Sequence, residues 1–121
     1  MISHVTVGTN DLERAVPFYD AIAKAFGAPR RFEQDRGVGW GAPGVPGFAV
    51  FKPFDDEPAT KGNGSMIAFA AQDPAQVDQV YQLALSLGAT DEGAPGQRNE
   101  RYYAAYFRDL DQNKIGLFFR S

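Results

Sequence analysis

The chain has 121 residues, 44% of them hydrophobic and 22% charged, with a net charge of −3, one histidine and no cysteine. That size and balance fit one globular domain with its own core and exclude a disordered chain, a fibrous repeat or a coiled coil. The absence of cysteine removes a disulfide framework, a thiolate metal site and a cysteine nucleophile. Mild acidity argues against a general nucleic-acid binder, which needs a basic surface. No apolar run approaches the roughly 20 residues that cross a bilayer. Met1-Ile2-Ser3-His4 leads directly into an apolar segment without a basic leader, so the expectation is a cytoplasmic protein that neither enters a membrane nor binds nucleic acid.

The first element is Ile2-Ser3-His4-Val5-Thr6-Val7-Gly8, a β-branched run that predicts a strand. Alternation puts Val5 and Val7 on one face and His4 and Thr6 on the other. Asn10-Asp11-Leu12-Glu13 then reads as a capped helix start with an acid in its first turn. The helix should continue to about Phe26, because Ala15, Phe18, Tyr19, Ile22 and Phe26 keep helical spacing and form one apolar stripe. Gly27 and Pro29 end it. Strands follow at Val38–Ala42 and Phe48–Lys52, with a further short strand near 30–36. The segment 53–64, rich in Pro and Gly and carrying Asp55-Asp56-Glu57, reads as a solvated linker.

The pattern then begins again. Shifted by 62 positions, Ser3 falls on Ser65, His4 on Met66, Asp11 on Asp73 and Tyr19 on Tyr81. Met66-Ile67-Ala68-Phe69-Ala70-Ala71 is the second opening strand. Asp73-Pro74-Ala75-Gln76 combines an N-cap, a proline at the first helical position and a capping-box glutamine. Val77, Val80, Tyr81, Ala84 and Leu87 form the stripe, and Gly88 closes the helix. A short strand near 90–98 precedes Tyr102–Arg108 and Lys114–Arg120, which Asp109-Leu110-Asp111-Gln112-Asn113 joins as a hairpin. The expected fold class is α+β: a single domain, 1–121, of two tandem βαβββ modules, about 1–57 and about 63–121.

The opening Ile2-Ser3-His4-Val5-Thr6-Val7, with Asp11-Leu12-Glu13-Arg14-Ala15-Val16-Pro17-Phe18-Tyr19, resembles the vicinal oxygen chelate superfamily. So does the ending from Tyr102 to Ile115. That superfamily holds lactoylglutathione lyases, extradiol dioxygenases, fosfomycin-modifying enzymes and bleomycin-resistance binding proteins. The resemblance covers nearly the whole chain and implies paired βαβββ modules whose sheets curl around a central cavity, usually in a homodimer. It does not imply one chemistry, because this fold hosts many.

In the metal enzymes of the superfamily, ligands stand in the first strand of each copy and in the last strand, with a more variable fourth position. Carried over, these fall on His4, Met66, Gly116 and about Ala49. Only His4 retains a ligating side chain suited to a hard or borderline divalent ion. The expectation is therefore a protein with no metal and no other cofactor. A divalent metal is the alternative, with His4 at a degenerate site.

Gly116 and Ala49 are small and are expected to leave room where ligands would stand. Alternation sends His4, Thr6, Met66, Ala68, Gly116 and Phe118 toward the cavity, and Val5, Val7, Ile67, Phe69, Ile115, Leu117 and Phe119 toward the helices. Trp40, Phe51, Tyr103 and Tyr106 are added as wall residues, on faces the sequence does not decide. The set describes an aromatic, mainly apolar pocket for a small molecule. Arg30, Arg31, Arg36, Arg98 and Arg101 lie in or beside loops. They read first as solvated charge and second as grips for an anionic ligand. Gly37-Val38-Gly39-Trp40-Gly41 precedes no helix and is not a phosphate loop.

Three functions stay open at this point. One is a metal-free protein that binds a small organic molecule, like the bleomycin-resistance branch. Another is a lyase, isomerase or dioxygenase of the lactoylglutathione-lyase type, with His4 as catalytic group or ligand. The third is an interaction scaffold.

Overall fold

The computed structural model describes all 121 residues and divides them into two compact units, Met1–Thr60 and Lys61–Ser121. No helix is long and apolar enough to cross a membrane.

The first unit runs β1 (His4–Gly8), α1 (Leu12–Ala25), β2 (Arg30–Gln34), β3 (Gly37–Trp40) and β4 (Gly47–Phe51). Its sheet has the order β1-β4-β3-β2, with β1 parallel to β4 and the other pairs antiparallel. Asp11 caps α1 by accepting a hydrogen bond from the Arg14 amide, and Gly27 follows the helix at φ +69. That left-handed turn is one glycine adopts without a Cβ penalty. Ala15, Phe18, Tyr19 and Ile22 are buried, as their spacing predicted, and Tyr19 packs against Phe48 and Trp40.

The second unit repeats the order: β5 (Ile67–Ala70), α2 (Pro74–Ser86), β6 (Thr90–Gln97), β7 (Tyr102–Arg108) and β8 (Lys114–Arg120). Its sheet is β5-β8-β7-β6, again with one parallel pair, β5 with β8. Asp73 accepts from the Gln76 amide, and the Gln76 side chain accepts from the Gln72 amide, which satisfies two donors at the start of α2. Val77, Val80, Tyr81 and Ala84 bury the helix stripe, each large member contributing roughly 1.5–3 kcal/mol. Leu87 departs from the expected stripe: it is the C-cap and is 37% exposed. The α+β class and the βαβββ pattern of each copy stand, and the short strands near 30–36 and 90–98 are present as β2 and β6.

The hairpin between β7 and β8 turns on Asp109. Its carboxylate accepts from the amides of Asp111 and Asn113 and from the Asn113 side-chain amide, at 2.8, 2.9 and 2.9 Å. Asp109 is 2% exposed, so these bonds replace the water its charge would otherwise need.

Candidate functional site

In the first unit the register places His4 opposite Gly47, Thr6 opposite Ala49, and Gly39 opposite Ala49, with Gly37 opposite Phe51. These residues share the sheet face that carries no helix. Glycines lie under rings there. A Cβ at Gly39 would stand 2.7 Å from Cζ of Phe32, and one at Gly37 would meet the ring of Phe51. Phe32 and Phe51 in turn pack against each other, with centroids 5.9 Å apart. The glycine-rich stretch after Arg36 is therefore a strand made smooth so that rings can lie across it.

A cavity of about 790 Å³ opens on this side of the first unit. His4, Thr6 and Phe51 line it, joined by Gln34 and Arg36 and by the segment from Lys52 to Thr60. That segment is a strap rather than a free linker. At one end Arg36 donates to the Pro53 carbonyl and pairs with Asp56 at 2.9 Å. At the other, Asn10 and Ala59 exchange two hydrogen bonds, of 2.7 and 3.2 Å. Phe54 stands almost wholly in solvent. The only histidine, His4, is exposed, and its Nδ1 is 3.0 Å from the Ser3 hydroxyl.

Trp40 does not join this face. It points toward α1, where its indole N–H donates to Asp20 at 2.9 Å and its ring stacks with Phe48. Its parity in β3 is that of Val38, the helix side. Asp20 also takes a two-pronged hydrogen bond from Arg30, at 2.8 and 2.6 Å. That bond holds the Asp20 carboxyl below the usual carboxylate range against the opposing effect of burial, and the Trp40 bond adds to it.

In the second unit, Ala68 and Tyr106 pair with Gly116, and Ala70 and Ala104 pair with Phe118. This is again the face without a helix. Phe118 meets Tyr102 and Tyr106 edge to face, with centroids 5.8 and 5.6 Å apart. Met66 is 40% exposed, and its sulfur lies 3.2 Å from the place a Cβ would take on Gly116. The space beside Gly116 is thus occupied by Phe118 and Met66, which corrects the expectation of room there. Ala49 is likewise buried, at 1% exposure.

Tyr103 departs from the expected set as Trp40 does. It lies on the helix side, where its hydroxyl donates to Asp78 of α2 at 2.6 Å, a bond that raises the phenol's pKa. Tyr102, left out of the expected wall residues, takes the ring position on the other face. Phe32 is the equivalent omission in the first unit. The two glycines of Gly37-Val38-Gly39 at strand period were the available signal for it.

The donor set does not fit a divalent metal. No three His, Cys, Asp or Glu side chains stand together. Met66 is a soft thioether and Gly116 has no side chain.

Each unit is thus a βαβββ module with its helix on one sheet face and aromatic rings over glycine on the other. Residues 1–117 match the Glyoxalase/Bleomycin resistance protein/Dioxygenase superfamily, and the chain belongs to it. It is similar to a glyoxalase/bleomycin resistance protein from Albidiferax ferrireducens T118, at 39% identity and a TM-score of 0.93, over 100% of this chain and 99% of that one. It shares its fold with a lactoylglutathione lyase from Agrobacterium tumefaciens, at 21% identity and a TM-score of 0.71, covering 98% and 92% of the two chains. A family enzyme from Burkholderia phytofirmans PsJN gives 19% identity and a TM-score of 0.75, covering 98% of each. No curated protein matches the chain.

Proposed function

We propose that this protein binds a small organic molecule on the aromatic, helix-free sheet faces, without a metal, as a cytoplasmic homodimer. The observation that carries the reading is the cavity of about 790 Å³ on the first unit, lined by exposed His4 and Thr6 and half-buried Phe51. Ligand sites combine apolar walls with a few polar anchors, and His4, Thr6, Gln34 and Arg36 supply those anchors here. Met66, Ala68, Tyr106, Gly116 and Phe118 make a comparable face in the second unit. Superfamily membership supports both the binding role and the dimer, and the donor set supports metal independence.

The test is thermal denaturation against a panel of aromatic and aliphatic small molecules, with and without Zn, Mn, Ni or Fe(II), alongside the molar mass in solution. The expected outcome is stabilisation by a subset of the panel that no metal changes. His4→Ala and Phe51→Ala should weaken it, at twice the chain mass. Stoichiometric metal that His4→Ala abolishes, with turnover of oxo-substrates, would replace this reading with the lyase or dioxygenase one. No stabilisation by any compound would leave the interaction scaffold.

A further inference from the structure

We propose that the second unit carries an organic-anion subsite in which Arg98 and Lys114 grip a carboxylate whose aromatic skeleton rests on Tyr106 and Phe118. The inference rests on the small-molecule reading above and specifies the ligand class.

The argument starts from strand β6. Gly93 and Gly96 lie within it, and neither has a positive φ that would demand glycine. Their smoothness serves neighbours. A Cβ on Gly96 would stand 2.9 Å from a terminal nitrogen of Arg98, and one on Gly93 would stand 2.8 Å from the Tyr106 ring and 3.4 Å from Arg98. The Arg98 guanidinium therefore passes over Gly93 and Gly96 and donates a 2.7 Å hydrogen bond to the Ala94 carbonyl. An arginine so held has already given up much of the freedom that binding would otherwise cost.

The Arg98 guanidinium carbon is 5.5 Å from the Tyr106 centroid, and the Lys114 ammonium is 5.1 Å from the same centroid. Two cations thus gather at one ring. Neither forms an ion pair; the nearby Glu92 pairs with Arg108 at 3.0 Å, and the Lys114 charge also helps to hold its carboxyl below the usual range. Lys114 is partly buried. Arg120, above Tyr102 at 6.0 Å, is also without a carboxylate partner. In a chain of net charge −3, this is a local gathering of cations that form no ion pair of their own. An anion seated beside the ring receives charge-assisted hydrogen bonds from the exposed Arg98 and the half-buried Lys114. The edge-to-face set of Tyr102, Tyr106 and Phe118 favours an aromatic skeleton over an aliphatic one.

The probes are 2-naphthoate and its neutral counterpart 2-naphthylmethanol, titrated into the full chain by calorimetry and by NMR of the Arg98 side chain and the Tyr106 ring. Naphthoate should bind about tenfold or more tighter than the alcohol, shift both sets of signals, and weaken as salt is raised. Arg98→Gln combined with Lys114→Gln should lower naphthoate affinity to that of the alcohol. Lys24→Gln, which removes a cation from α1, should leave it unchanged. Circular dichroism confirms that each variant is folded. Equal binding of the two probes, or naphthoate binding that survives the double substitution, overturns the anion subsite and leaves the small-molecule reading intact. If neither probe binds, the subsite falls as well, and the broader reading falls only if the whole panel above also fails.

Discussion

The ring of Phe118 stands where a side chain on Gly116 would have to go: a Cβ there would lie 2.7 Å from Phe118 Cε2. Two residues apart on β8, the pair shows that the glycine is part of how the aromatic face is built. It is more than the trace of a missing carboxylate.

Gly116→Ala should therefore destabilise the fold, by about 1–3 kcal/mol from overpacking. In a Phe118→Leu background the same change should cost less, with a coupling of about 0.5–3 kcal/mol between the positions. Urea denaturation of the four proteins in the cycle checks this. An additive pair would mean that the ring does not decide the residue at 116.

Asp20 ties Trp40 and Arg30 together, and its carboxyl has a depressed pKa in the folded state, owing first to the Arg30 hydrogen bonds. A group of that kind adds stability above its unfolded pKa and loses it as pH falls through the folded one. Asp20→Asn keeps an acceptor for Trp40 but removes the charge. The difference in melting temperature between the two proteins should be largest near neutral pH and should close on acidification below about pH 4. Both partners are more than a third exposed, so the gap should be modest. A gap that stays constant down to pH 2 would contradict the assignment.

Trp40→Phe tests the placement of the indole. It should cost about 1 kcal/mol through the lost hydrogen bond to Asp20 and leave ligand affinity unchanged, because Trp40 faces α1. Phe51→Ala should reduce that affinity, because Phe51 lines the cavity. Parallel titrations of the two variants with any compound that stabilises the wild type distinguish the faces.

The strap should open when its clamp is cut. Asn10→Ala removes both hydrogen bonds to Ala59. Exchange of the Ala59 amide should then accelerate by about tenfold, the equivalent of one net hydrogen bond, while amides of α2 keep their rates. Hydrogen-exchange mass spectrometry reads both regions at once.

Much of this protein is legible in its sequence, because the controlling effects are local. The caps at Asp11 and Asp73, the stripes from Ala15 to Ile22 and from Val77 to Ala84, and the turn at Asp109 depend on residues within one or two helical turns. The repeat follows from comparing one half with the other. Strand alternation alone assigns His4, Thr6, Ala68, Gly116 and Phe118 to the helix-free faces, since each strand has a β-branched or aliphatic side that α1 or α2 must cover.

Tertiary structure decided the rest. Tyr102-Tyr103-Ala104-Ala105-Tyr106-Phe107 carries aromatic residues at both parities, so its faces depend on register with β8 and on where Asp78 of α2 meets Tyr103. Trp40 sits at the end of a strand whose other residues are Gly37, Val38 and Gly39, and only pairing with Phe48 turns it to the helix. The gathering of Arg98 and Lys114 at Tyr106 brings the loop after β6 and the first residue of β8 to one ring of β7, which depends on the register of both hairpins. A period of two identifies which residues share a face, but register and helix docking determine which face is buried, and those are set by contacts far apart in the chain.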